Sequence, residues 1–252
     1  MTSGREFDGK VAIVTGAGRN IGRAIALALA EGGAAVAINV RSNRTEAESV
    51  TREVEALGGK ALVIVGDVAD AVAVQALADA TIKQFGRIDI LVNNAALRRE
   101  KSFSEMSYAE WREIMDVTLD GTFHCVKACL PALRQSGEGT IVNIGGLSAH
   151  TGAKNRAHVV TAKAGIVGFT RALAHDLAED GITVNCVVPG LIGTPRARDK
   201  PEPAHHLTHQ TISGARGKPE DVAATVRFLC SRGARYINGQ AIHANGGAYL
   251  GA

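Results

Sequence analysis

Seven short apolar runs punctuate the chain: VAIVT at 11–15, AVAINV at 35–40, ALVIV at 61–65, IDILVN at 88–93, TIVNI at 140–144, ITVNCVV at 182–188 and QAIHA at 240–244. Their apolar character is nearly continuous, the pattern of strands buried on both faces. Longer segments with apolar residues at helical spacing separate them. Strand and helix therefore alternate, which predicts an α/β fold: a doubly wound, seven-stranded parallel sheet with helices on both faces and right-handed crossovers. The rhythm breaks once, over 195–218, where Pro201, Pro203, His205, His206 and His209 fall between the sixth strand and a helix starting near Pro219. That stretch reads as a lid or substrate loop on a single domain spanning 1–252.

Composition narrows the class. Hydrophobic residues make up 46% and charged residues 21%, without repeat or low-complexity tract, so the whole chain is expected to be globular. The 28 basic and 25 acidic residues leave a net charge of +3, and the basic ones are scattered, which argues against a nucleic-acid partner. The polar start, MTSGREFDGK, and the absence of an apolar run near ~20 residues point to a cytoplasmic protein with no membrane partner. Cys125, Cys129, Cys186 and Cys230 lack the paired spacing of a zinc site and read as reduced core thiols. The histidines of 195–218 have no carboxylate or cysteine at ligand spacing, so no metal is expected.

Candidate chemistry begins at the first strand. VAIVTGAGRNIGRAIALALA reads as a strand, a glycine-bearing turn and an alanine-rich helix. Gly16 permits the sharp turn, amides at the helix start would face a pyrophosphate, and Gly22 lets the helix pack close to the strand. The site belongs where such sheets bind ligands, at the carboxyl ends of their strands.

From this turn onward the chain resembles the short-chain dehydrogenase/reductase superfamily, whose turn reads TGxxxGxG. The motifs that carry the resemblance are GDV at 66–68, NNAA at 93–96, the IVNI strand, Lys163 in TAKAG, PGLIGT at 189–194, PEDVA at 219–223 and the closing GQAIHANGG. Asn20 replaces the middle glycine of the turn, and Asn is the side chain most tolerant of a left-handed backbone. Asn245 replaces the closing aspartate. The resemblance implies a Rossmann-like fold and a nicotinamide dinucleotide. It places Ile21 in the phosphate turn, Asp67 and Val68 beside the adenine, Asn93 at the ribose, and Pro189, Ile192 and Thr194 near the nicotinamide. The acid that grips the ribose hydroxyls in NAD-preferring members is absent: Val40 stands there, followed by Arg41 and Ser42. Arg41 and Arg19 would clamp a 2′-phosphate with nothing nearby to repel it, so the expected cofactor is NADP(H).

The resemblance breaks at the reacting centre. The family uses Tyr-x-x-x-Lys with an upstream serine and an asparagine on the preceding helix. Here the positions are Val159, Gly146 and Thr118, and only Lys163 remains. A valine has no proton to give. His158, beside the vacated position, and His150, in the loop after the fifth strand with Ser148, are candidate substitutes for proton transfer. A regular helix turns His158 away from the lysine face; only a helix beginning after it would let it swing inward.

The reading is an NADP(H)-dependent oxidoreductase resembling 3-oxoacyl-carrier-protein reductases, with a non-standard proton path and a small-molecule substrate such as an iminium or conjugated alkene. A catalytically silent NADP(H)-binding sensor or inert oligomer partner is the alternative. A lyase or isomerase that keeps the cofactor as structure is a third. The resemblance also implies a homo-oligomer, a tetramer paired through helices near 105–134 and 155–178.

Overall fold

The structure is a computed structural model that describes residues 5–194 and 210–251. Its seven strands are β1 (Val11–Val14), β2 (Ala35–Val40), β3 (Ala61–Val65), β4 (Ile90–Asn93), β5 (Thr140–Ile144), β6 (Thr183–Pro189) and β7 (Ala241–Ala244). All neighbours pair in parallel, in the order β3-β2-β1-β4-β5-β6-β7. Chain order reverses between β1 and β4, and there the connections leave the sheet in opposite directions and open a crevice.

Eight helices connect the strands among the described residues: α1 (Asn20–Glu31), α2 (Arg44–Ala56), α3 (Ala71–Phe85), α4 (Tyr108–Met115), α5 (Gly121–Gln135), α6 (Ser148–Thr151), α7 (Ala157–Asp176) and α8 (Pro219–Cys230). Alternate residues of each strand face opposite layers. Ala12, Val14, Val36 and Ile38 pack toward α1, α2 and α8, whereas Ile13, Ala37, Leu91 and Ile141 pack toward α3 and α5. The cysteines are free; burial pushes Cys125 up to about 12 and Cys186 up to about 11, so they serve as packing groups.

Two polar knots fix the amino ends of the strands. Asp89, 1% exposed, accepts from Val11 N at 2.9 Å and from Arg87 Nε at 2.8 Å, and pairs with Lys10 at 3.2 Å, which ties β1 to β4. Arg235 donates to Gly139 O at 3.1 Å and to Gly181 O, which ties the entries of β5 and β6. Held at that end, the strands present their carboxyl ends together at the other.

Two expectations change. The helix expected over 105–134 is divided: α4 and α5 are joined by a π-helical turn at Asp116–Asp120. The helix expected from 155 starts at Ala157, so His158 lies inside its first turn and the late start that would swing it inward does not occur. Residues 195–209 of the expected lid, with its three histidines, lie outside the described residues. Its described end is tied down: Gly193 N donates to Gly217 O at 2.8 Å and Gly217 N to Leu191 O at 3.0 Å. No helix of the described residues is long and apolar enough to cross a membrane.

Candidate active site

The turn between β1 and α1 is shaped by three residues. Gly16 has φ +62°, and Asn20 opens α1 at φ +51°, a left-handed conformation that its short amide tolerates and a β-branched side chain would not. Gly22 is required by space: a Cβ there would stand 2.3 Å from Gly16 O and 2.5 Å from Asn94 Nδ2. Arg19 precedes the helix in extended conformation and gives no side-chain cap, so the first amides of α1, at Asn20 and Ile21, are left for an anion.

Asn94 braces this turn from β4. Its Nδ2 donates to Thr15 O at 2.9 Å and Gly16 O at 3.0 Å, while Thr15 Oγ1 accepts from Asn94 N and Ala95 N, both at 3.0 Å. Sequence reasoning chose the neighbouring Asn93. That side chain turns instead into the sheet, where it donates to Asn143 Oδ1 at 2.9 Å, and Asn143 in turn donates to Thr170 Oγ1. The signal for Asn94 was the second asparagine of NNAA, one residue past the strand end.

A cleft of about 500 Å³ runs along the carboxyl edge. Arg19, Arg41 and Ser42 line it between α1 and the end of β2, Asp67 and Val68 line it past β3, and Leu97, Arg98, Val117 and Thr194 line it past β4, α4 and β6. Asp67 shapes its own turn by accepting from Ala69 N at 3.0 Å. Pro189 ends β6 and its carbonyl accepts from Leu147 N at 3.1 Å, while Ile192 forms a β-bridge with Gly217 and packs against the α1 side of the core. The expectation that nothing near the arginines repels a phosphate is corrected: Glu46, from the first turn of α2, lines the same cleft and stands 3.8 Å from Arg19. No short-range pattern marks it, because its approach depends on how α2 folds back over β2.

Beyond Val117 lies the reacting end implied by the sequence. Val159 and Lys163 are one turn apart on α7 and share its buried face. Val159 is packed with Ile114 and Ala162, with Leu97 and Met115 beside them, so the position is filled by hydrocarbon. At Gly146 a Cβ would find only Lys163 Cγ, at 3.7 Å. Thr118 is 1% exposed in the π-helical turn, its hydroxyl without a hydrogen-bond partner among the described residues. Lys163 Nζ donates to Ile144 O; burial, then the positive charges of Arg98 and Arg156, push the amine down to about 7.

The two histidines are held elsewhere. His158 is 1% exposed among the charges of Arg156, Glu110 and Arg99, and burial pulls its pKa down. His150 packs edge-on against His243 at 4.6 Å and lies 5.4 Å from Tyr249; burial and Arg171 lower its pKa. Asn245, which the sequence left uninterpreted, organises this corner: its Nδ2 donates to Tyr249 O at 3.0 Å and its Oδ1 accepts from Gly247 N at 2.9 Å. Among the described residues no group of three or more His, Cys, Asp or Glu could hold a metal.

Many known proteins match this chain in sequence and in fold. Residues 16–249 match the family model described as enoyl-(acyl carrier protein) reductase. The chain is 40% identical over 242 residues to the 3-oxoacyl-[acyl-carrier-protein] reductase FabG of Staphylococcus aureus, covering 96% of this chain and 98% of that protein. Among solved structures, a dehydrogenase/reductase from Sinorhizobium meliloti superposes with a TM-score of 0.92 at 32% identity, covering 98% of both chains. A short-chain dehydrogenase from Burkholderia cenocepacia in complex with NADP gives a TM-score of 0.89 at 36% identity, covering 96% of this chain and 99% of that one.

Lys163 makes stability depend on pH in a defined direction. Its folded value of about 7 lies below the ordinary 10.5. Below about pH 7 folded and unfolded chains both carry the charge, and the folded chain bears the full cost of burying it; as pH rises toward 10.5 that cost fades. Lys163→Met should therefore stabilise the ligand-free protein by ~2–4 kcal/mol at pH 6 in urea unfolding, with the gap narrowing by pH 9. A gap that is the same at both pH values would contradict a charged amine buried at neutral pH.

Proposed function

We propose that this chain, which belongs to the short-chain dehydrogenase/reductase superfamily, is a cytoplasmic NADP(H)-dependent oxidoreductase whose proton reaches the substrate without a tyrosine. The observation that carries the reading is the cradle formed by the uncapped start of α1, the left-handed Asn20 and the Asn94 brace beneath them. A pyrophosphate fits it: the amides face outward, and Gly22 leaves no side chain in the way. The Burkholderia relative in complex with NADP and the reductase from Staphylococcus aureus support the same cofactor class and chemistry.

In this reading Arg19, Arg41 and Ser42 receive the 2′-phosphate, Asp67 and Val68 flank the adenine, and Asn93 meets a ribose through its strand-end backbone. Lys163 holds the nicotinamide ribose, with Pro189, Ile192 and Thr194 beyond it. The bound dinucleotide supplies the hydride. Besides His150 and His158, Lys163 is itself a candidate for proton transfer and the best supported one, because it lies on the face of α7 where the family carries its tyrosine and ionises near neutral pH, where a general acid works best. Neither His150 nor His158 is hydrogen-bonded to Lys163 among the described residues. Such a site suits a small substrate that needs little acid assistance, an iminium or a conjugated alkene. The hydrocarbon packing of Val159 favours, as the second reading, a silent NADP(H)-binding protein that acts as a sensor or as the inert partner in an oligomer.

A homotetramer paired through α4, α5 and α7 is part of the same proposal. Phe123, 48% exposed on α5, stands 6.4 Å from the ring of Phe169 on α7, an apolar pair that reaches solvent in the isolated chain. Light scattering at micromolar concentration should report four chains, and a monomer would rule the arrangement out.

NADPH oxidation against panels of ketones, imines and enones tests the function. Imines or enones should turn over and ketones hardly at all, since loss of a general acid typically costs ~10²–10⁴ in rate. Combining Gly146→Ser, Val159→Tyr and Thr118→Asn should raise ketone reduction at least ~10-fold; the serine has room, while the tyrosine displaces packed hydrocarbon at ~1–3 kcal/mol. Tight NADPH binding with no turnover on any panel, and an inactive but folded triple variant, would transfer the assignment to the silent binding protein.

A further inference from the structure

The acid that β2 lacks at its end is returned by α2. Val40 closes the strand, and after Arg41 and Ser42 the side chain of Asn43 caps α2 by accepting from Glu46 N at 3.2 Å. The cap fixes the third residue of the helix, and the Glu46 side chain lies back over the phosphate turn. A Cβ built on Gly18 would stand 2.9 Å from Val40 Cγ1, 3.2 Å from Glu46 Cβ and 3.4 Å from Glu46 Oε2. Gly18 thus leaves the room that Glu46 uses. Glu46 Oε1 lies 3.8 Å from Arg19 Nη1, and Gly18, Arg19, Arg41, Ser42 and Glu46 all line the same end of the cleft.

This places a carboxylate on the guanidinium that a 2′-phosphate needs. A phosphate arriving at Arg19 must draw the arginine from Glu46 and bear the repulsion of its negative charge, whereas a free 2′-hydroxyl can donate to the same carboxylate. We infer that Glu46 sets how strongly this cleft discriminates between the two nicotinamide dinucleotides, weakening NADPH and supporting NADH. The inference rests on the dinucleotide reading above. The effect is modest, because the Arg19 side chain is 75% exposed and that of Glu46 37%, so water and salt screen the charges.

Calorimetric titration of NADPH and NADH into the wild type, Glu46→Gln and Glu48→Gln at low salt tests it. Glu48 is a matched control: it removes the same charge from α2, where it pairs with Arg44 at 4.0 Å, and it does not line the cleft. Glu46→Gln should bind NADPH roughly two- to tenfold tighter and NADH no better than the wild type, with the NADPH gain shrinking as salt is raised. Glu48→Gln should leave the ratio of the two affinities unchanged. An unchanged ratio in a folded Glu46→Gln, or an equal change in Glu48→Gln, would overturn the role of Glu46. Failure of the wild type to bind either dinucleotide would instead remove the dinucleotide reading itself.

Discussion

The cleft depends on two hydrogen bonds from one amide. A doubly wound sheet opens a crevice wherever its chain order reverses, but the crevice has no defined shape until the connections on either side are tied together. Here Asn94, just past β4, donates to the carbonyls of Thr15 and Gly16, just past β1. Those carbonyls are satisfied, as is the amide of Ala17, which donates to Asn39 O at 2.9 Å, so the amides left over are the first ones of α1, at Asn20 and Ile21. The left-handed backbone at Gly16 and Asn20 and the bare α-carbon of Gly22 are the geometric cost of that arrangement. A neutral hydrogen bond is worth about 1 kcal/mol on average, but a buried carbonyl left unpaired costs more, so the brace and the turn stand or fall together.

At the far end of the cleft the balance is different. Val159 belongs to a small apolar cluster with Ile114 and Ala162. Gly146 leaves open space beside the lysine stem, and Lys163 reaches past it to the carbonyl of Ile144. Burial first, then the positive charges of Arg98 and Arg156, make the amine give up its proton far more readily than an exposed lysine. Under the proposed function, the start of α1 would seat the dinucleotide, and the amine of Lys163 would take the place of a hydroxyl in protonating the substrate.

Much of this was legible in the sequence because burial on both faces writes itself as continuous apolar runs, and all seven strands lie within a residue or two of where those runs place them. Asn20 was legible for a stereochemical reason, since few side chains tolerate its φ of +51°. The rest required long-range geometry. Whether Asn93 or Asn94 faces the cleft depends on where β4 ends, and the pairing of Asn93 with Asn143 settles it. The π-helical turn at Asp116–Asp120 adds no residue type that hydropathy would notice. Glu46 meets Arg19 only because Asn43 starts α2 where it does. Asn245 became interpretable once the carbonyl it serves, that of Tyr249, was seen beside it.

A crystal structure of the protein with NADP bound measures the central claim most directly. The pyrophosphate should lie on the amides of Asn20 and Ile21, with the nicotinamide ribose against Lys163 and no protein hydroxyl within hydrogen-bonding reach of the substrate side of the ring. A nicotinamide turned away from Lys163 and Val159, or a hydroxyl standing where a substrate carbonyl would sit, would contradict it.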